Sequence, residues 1–373
     1  MPKLVVAASG KDPEGKGKEV FACSFTPDSS FALTGSWDGQ LRLWDANSGA
    51  LVTSILAGTK PVSACAVSPD GKLWLSGSMD GIMIAWDAVS HEQSIFLALH
   101  TRPISSLAFA GDGQTLASAS WDKKLTIRSV RQMREGQTLA GHEDIVAGCR
   151  FLPDMTHLMS WSHDGAIRLW DLASAKTTAV LGGHQDRVNH AVVSPDGRWI
   201  ASASRDRELK LWDRRQMREI KTITTNAELR GLFFLPDSNW IITVDQEGWL
   251  TLFAAPDLET EEEVDTQLPV QCAELSPFGT CIALGGEDGR IMFITVEGIE
   301  PAPIPVTATQ TTWLNKSGLM RILGKAKIKH TFRYTCPVCR KSSELEDALP
   351  GQPAPCPNCR QALRFSAIEQ AAH

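Results

Sequence analysis

From residue 20 onward the chain alternates short apolar runs with polar turns. The runs "VFACSF" (20–25), "FALTGSW" (31–37), "QLRLWD" (40–45) and "ALVTSIL" (50–56) are separated by "TPDS", "DG" and "ANSG". Runs this short, alternating between apolar and polar positions, predict β-strands joined by tight turns. Proline presets the turn dihedral, and Asp or Gly tolerates the unusual one that follows. The turn recurs as "SPDG" at 68–71 and 194–197 and as "LPD" at 152–154 and 235–237.

The pattern has a long period. Asp38, Asp80, Asp122, Asp164 and Asp206 follow one another at 42 residues, and Glu247 and Asp288 continue the series at 41. Six residues after each acid stand Trp44, Trp86, Arg128, Trp170, Trp212, Phe253 and Ile294. Four residues before it stand Thr34, Ser76, Ser118, Ser160, Ser202, Thr243 and Leu284. This makes seven units of four strands each. One small sheet cannot bury both its faces, so the units must stack. Seven twisted sheets arranged radially cover each other and leave only short edges, which predicts an all-β, seven-bladed β-propeller over residues 1–310. Closing the ring requires one more outer strand, because an open sheet edge is a pairing hazard. Both "KLVVAAS" (3–9) and "PIPVTATQ" (303–310) qualify, and the sequence does not separate them.

The period, "AGH" ending at His142, "GGH" ending at His184 and the recurring "WD" resemble the WD-repeat family. The resemblance implies that a His, a Ser or Thr, an Asp and a Trp form a buried hydrogen-bonded set in each full blade. Carried over, the sets are His142, Ser160, Asp164, Trp170 and His184, Ser202, Asp206, Trp212. Blade three keeps His100, Ser118 and Asp122 but has Arg128 in place of Trp. Blades six and seven keep little, from which looser packing is expected there. His, Ser and Asp together invite comparison with a hydrolase triad. A catalytic constellation is needed once, however, whereas this one recurs at the fold period, as structural pegs do. The regularity of "SPDGRWIASASRDRELKLWD" resembles prokaryotic members of the family, which implies a bacterial protein.

Residues just before each turn acid should mark the rim of one propeller face. That series reads Trp37, Met79, Trp121, His163, Arg205, Gln246 and Glu287. Trp, Met and Arg are enriched at protein interfaces, so Trp37, Met79, Trp121, His163 and Arg205 are candidate partner-binding residues. Cys23, Cys65 and Cys149 occupy equivalent positions in three blades and are expected to fill core slots as free thiols.

Composition divides the chain into two unlike parts. Of the formal charge of −6, residues 301–373 carry ten Lys and Arg against four Asp and Glu, +6, which leaves −12 for the first 300. No apolar run is long enough for a signal peptide core or a membrane helix, so a cytoplasmic protein is expected. Nine cysteines in that setting favour reduced thiols and metal ligation over disulfides. Residues 311–329 read as a basic linker, with Leu319, Ile322, Leu323 and Ala326 at helical spacing.

Cys336-x-x-Cys339 and Cys356-x-x-Cys359 are separated by sixteen residues, the spacing of a four-cysteine zinc site. The stretch 330–366 resembles a zinc ribbon, with 367–373 a tail. Four protein ligands leave no open position, so one structural Zn2+ is expected, although spacing alone does not separate zinc from iron. A redox reading lacks the surrounding βαβ pattern, and a RING-like ligase lacks ligands for a second metal. Phe332, Tyr334 and Phe365 stand among Arg333, Arg340, Lys341, Arg360 and Arg364, a mixture found in single-strand binders. Together these features predict a non-enzymatic protein-interaction scaffold. A nucleic-acid adaptor acting through the basic C-terminus is the alternative.

Overall fold

A computed structural model describes residues 1–12 and 19–299 and, beyond them, 304–314, 328–335, 342–346, 353–355 and 362–370. The chain forms two compact units, Met1–Glu300 and Pro301–His373.

The first unit is a ring of seven four-stranded antiparallel sheets. Six blades span 20–56, 62–98, 104–140, 146–182, 188–224 and 229–265, each running from innermost to outermost strand in chain order. The seventh takes its three inner strands from 270–297 and its outermost from Lys3–Gly10. Each innermost strand lies beside the next, and Val270–Leu275 returns to lie beside Val20–Phe25. The register of every innermost strand shifts after its first residue, as between Val20 and Ala22 or Val270 and Cys272. Such a bulge increases local twist, and repeating it in each blade helps to turn seven sheets into a ring.

Local chemistry explains the turns. At Gly39 the backbone φ is +78°, and a Cβ there would lie 2.3 Å from the carbonyl oxygen of Gly58, so only glycine fits without displacement. Blades three and five place Lys123 (φ 70°) and Arg207 (φ 63°) at the equivalent position and carry the strain of a left-handed side-chain-bearing residue.

The N-terminal strand closes the ring. Lys3–Gly10 pairs antiparallel with Ile291–Glu297, Leu4 opposite Val296 and Gly10 opposite Ile291. The competing segment is used elsewhere: Ile304–Leu314 is antiparallel to Ile328–Thr335 and parallel to Ala362–Gln370 in the second unit. The unit boundary therefore falls at Glu300, earlier than the expected 310. Residues 311–314 and 328–329 of the expected linker are strand, and the expected helix around Leu319–Ala326 lies outside the described residues.

Blades six and seven are not loosely packed. Leu4, Leu250, Leu252, Leu268, Ile282, Leu284 and Ile294 are buried in one cluster, so aliphatic packing replaces the polar set that these blades lack.

The second unit is a five-stranded sheet ordered Ser342–Glu346, Ile328–Thr335, Ile304–Leu314, Ala362–Gln370, Pro353–Pro355. Cys336, Cys339, Cys356 and Cys359 lie outside the described residues. In sequence, each Cys-x-x-Cys falls between two antiparallel partner strands: Thr335 is opposite Ser342, and Pro355 is opposite Ala362.

Candidate functional site: the rim and channel of the ring

The polar sets form as buried relays. In blade four, Trp170 Nε1 donates to Ser160 Oγ at 2.8 Å. Ser160 Oγ lies 2.8 Å from His142 Nε2, and His142 Nδ1 lies 2.8 Å from Asp164 Oδ2. An ionised carboxylate only accepts, so Nδ1 donates to Asp164; in the neutral imidazole Nε2 then accepts from the Ser160 hydroxyl. Burial alone would raise the Asp164 carboxyl, but His142 and the amides of Glu143 and Ala166 overcome it and hold it at about 2. Blade five repeats the geometry with Trp212, Ser202, His184 and Asp206 at 2.9, 2.8 and 3.0 Å. Burial lowers His184 further than Asp206 raises it, which favours the neutral imidazole.

Departures from the set are as instructive. In blade three His100 binds Asp122 and Ser118, but Ser118 turns to Thr126 Oγ1 at 2.8 Å, and Arg128 donates instead to the Met133 carbonyl. In blade one Arg42 joins Asp38 and Asp12 at 2.6 and 2.8 Å, while Trp44 still donates to Thr34. In blade six the turn is capped by Asp245, which accepts from the amides of Glu247 and Trp249, rather than by Glu247. Ser160 and Ser202 are 0% exposed, so neither hydroxyl reaches a substrate.

His184, Asp206 and Glu208 place one ligand atom each within 4.8 Å of one another. His184 Nδ1 is already spent on Asp206, and Glu208 neutralises Lys210 at 3.0 Å, so blade structure accounts for the cluster.

The rim residues share one backbone anchor. The amides of Trp37, Met79, Trp121, His163 and Arg205 donate to the carbonyls of Glu19, Pro61, Pro103, Ile145 and Arg187, and Gln246 and Glu287 repeat the bond to Glu228 and Pro269. Each rim side chain thus leaves a fixed backbone at the same place in its blade. Trp37 and Trp121 are 45% and 43% exposed, and Trp37 packs against Phe21 with ring centroids 5.6 Å apart. Met79 is half-buried between them in ring order, which makes blades one to three the apolar arc. His163 is half-buried and held below its ordinary pKa by burial and by Arg187, and Arg205 is exposed, so blades four and five form a polar arc.

Below the rim, Arg150 Nη2 of blade four reaches Glu274 Oε1 of blade seven at 3.0 Å, so an ion pair spans the ring. Burial raises the Glu274 carboxyl despite this partner. His190 is pushed down to about 4 by burial, then by Arg230 and Arg150. Cys65 and Cys149 are buried free thiols, as expected, but Cys23 is half-buried with a partner that sequence reading missed: its Sγ lies 3.2 Å from Cys272 Sγ. The signal was present, since Cys272 stands on the last innermost strand and the ring brings that strand beside the first.

A ring of four-stranded blades with Trp–Ser–His–Asp relays defines a repeat-built propeller class. Five segments spanning half of the chain, 11–45, 49–87, 92–128, 133–171 and 175–213, match the family described as WD domain, G-beta repeat, and the chain belongs to that family. No curated protein matches the chain. The segments 49–87 and 175–213 begin just before an outermost strand and end with the third strand of the next blade. Sequence repeat and blade are thus offset, and the same offset assigns Lys3–Gly10 to the last blade.

Proposed function

We propose that this protein is a non-enzymatic interaction scaffold that binds a protein partner across the apolar arc of the rim. The observation that carries the reading is the pair of exposed indoles, Trp37 and Trp121, flanking Met79 on backbones pinned by equivalent hydrogen bonds. Indoles held on a rigid frame lose little freedom on binding, which is what makes Trp a frequent hot spot. His163 and Arg205 extend the surface with groups that set orientation and charge preference. The second unit adds a basic module stapled by one structural zinc on Cys336, Cys339, Cys356 and Cys359. Its support is the spacing of the four cysteines together with the antiparallel strand pair that brackets each Cys-x-x-Cys. When bound, the zinc would supply folding energy and no open position for chemistry.

Affinity capture with the full chain and with a Trp37→Ala/Trp121→Ala variant tests the reading. A partner found with the wild type should bind the variant at least about thirtyfold more weakly, as loss of two hot spots of about 1–2 kcal/mol each requires. The unfolding temperature should be unchanged. Equal affinity of the two proteins for every captured partner would remove the rim from the function.

A further inference from the structure

We infer that Cys23 and Cys272 are a modification site: a thiol pair that a peroxide converts to a disulfide, clasping the first blade to the last. The two sulfurs lie 3.2 Å apart although their residues are 249 positions apart in the chain. Cys23 stands on the innermost strand Val20–Phe25 and Cys272 on the innermost strand Val270–Leu275, neighbours across the seam where the ring closes. The backbone crosses that seam from Lys3–Gly10 of the last blade to Val20–Phe25 of the first, but Lys3–Gly10 is itself held to the last blade only by packing and by its pairing with Ile291–Glu297.

The approach is built in. Gly285 stands opposite Cys272, and a Cβ there would lie 2.6 Å from the Cys272 sulfur and 2.6 Å from Val20 Cγ1. Its missing side chain leaves room for sulfur on one side and for the first blade on the other. Both cysteines are half-buried, which opens them to a small oxidant more than Cys65 and Cys149, buried in the blades. Cys65 is engaged with the Leu33 carbonyl and Cys281 with the Ile282 carbonyl, and neither has a thiol neighbour of this kind among the described residues. The hydrogen bond to Cys272, burial and the nearby Glu274 carboxyl keep the proton on Cys23, so Cys23 rests as a thiol.

The reaction balances with hydrogen peroxide as oxidant. One sulfur, losing its proton, attacks a peroxide oxygen; the O–O bond breaks, water leaves, and a sulfenic acid remains. The second sulfur attacks the first, the S–O bond breaks, and a second water leaves with the second thiol proton. Two thiols are oxidised by two electrons, and one peroxide is reduced to two waters. Forming the bond closes the sulfurs from 3.2 Å to about 2.05 Å.

The test treats the full-length protein with hydrogen peroxide, blocks remaining thiols by alkylation, and maps peptides without reduction. The expected result is a Cys23–Cys272 cross-linked peptide, a rise of about 5–10 °C in the propeller's unfolding temperature, and reversal of both by dithiothreitol. Cys272→Ser should show neither change on peroxide treatment. Recovery of both residues alkylated singly, their oxidation to sulfinic acid, or linkage to Cys65 or Cys281 instead would overturn the inference. A cross-link that leaves the unfolding temperature unmoved overturns the clasp as well.

Discussion

Ser160 offers a sharp test of the relay in blade four. Replacing it with alanine removes one oxygen and leaves the fold's shape intact, but it strands two buried groups. Trp170 Nε1 loses its acceptor at 2.8 Å, and His142 Nε2 loses its donor at 2.8 Å. Each unpaired buried group costs about 1–3 kcal/mol, so Ser160→Ala should destabilise by about 2–5 kcal/mol. Trp170→Phe alone should cost about 1–3 kcal/mol, for the smaller ring and the unused Ser160 lone pair. The double variant should cost less than the sum by about 1–2 kcal/mol, because its alanine no longer faces a stranded indole N–H. Urea unfolding followed by far-UV circular dichroism, with a second probe to check that the transitions coincide, measures all three. A cost below about 0.5 kcal/mol for Ser160→Ala, or additivity within about 0.3 kcal/mol, would refute the assignment of the hydroxyl as both donor and acceptor.

Acid should unfold the ring in two stages. His100, His184 and His190 have folded pKa values below their unfolded value, so the unfolded chain binds more protons and stability falls as pH drops below about 6.5. Asp164, depressed to about 2, contributes stability that is complete above about 4 and lost as pH falls toward 2; His142→Gln should flatten that second stage in a pH series of urea midpoints. Leu4→Asp should open the last blade, since Leu4 is buried among Ile294, Val296 and Leu284 and a charge there has no partner; limited proteolysis should then cut first near the N-terminus. For the second unit, elemental analysis should return one zinc per chain, and Cys336→Ser should release it without changing the unfolding temperature of the propeller.

The blades were legible because their cause is local. A strand of six residues with a proline turn and a glycine at a left-handed position announces itself, and the 42-residue recurrence of Asp38 through Asp206 multiplies the signal. The relays at His142 and His184 were legible for the same reason. Ring closure was not, because pairing of Leu4 with Val296 is decided by two strands at opposite ends of the unit, and the rival at 303–310 has equal strand character. Blade six misled through its turn: Glu247 keeps the spacing, but Asp245 holds the amides because its carboxylate reaches forward two and four residues. Arg42 escaped notice since nothing local says that a guanidinium will take the place of a histidine between Asp38 and Asp12. Cys272 needed the ring itself to bring it to Cys23.

The place of the N-terminal strand has a consequence in time. Lys3–Gly10 emerges well before its partner Ile291–Glu297, which is made only after nearly the whole of the rest of the first unit. At about 5–20 residues per second, the strand waits on the order of 15–60 s with its backbone edge unpaired. Blades one to six can settle in order as they leave the ribosome, whereas the last blade completes only when both ends of the unit meet. Newly made chains are therefore most open to strand exchange between molecules during that interval, through a segment that in the finished ring is paired along its inner edge with Ile291–Glu297.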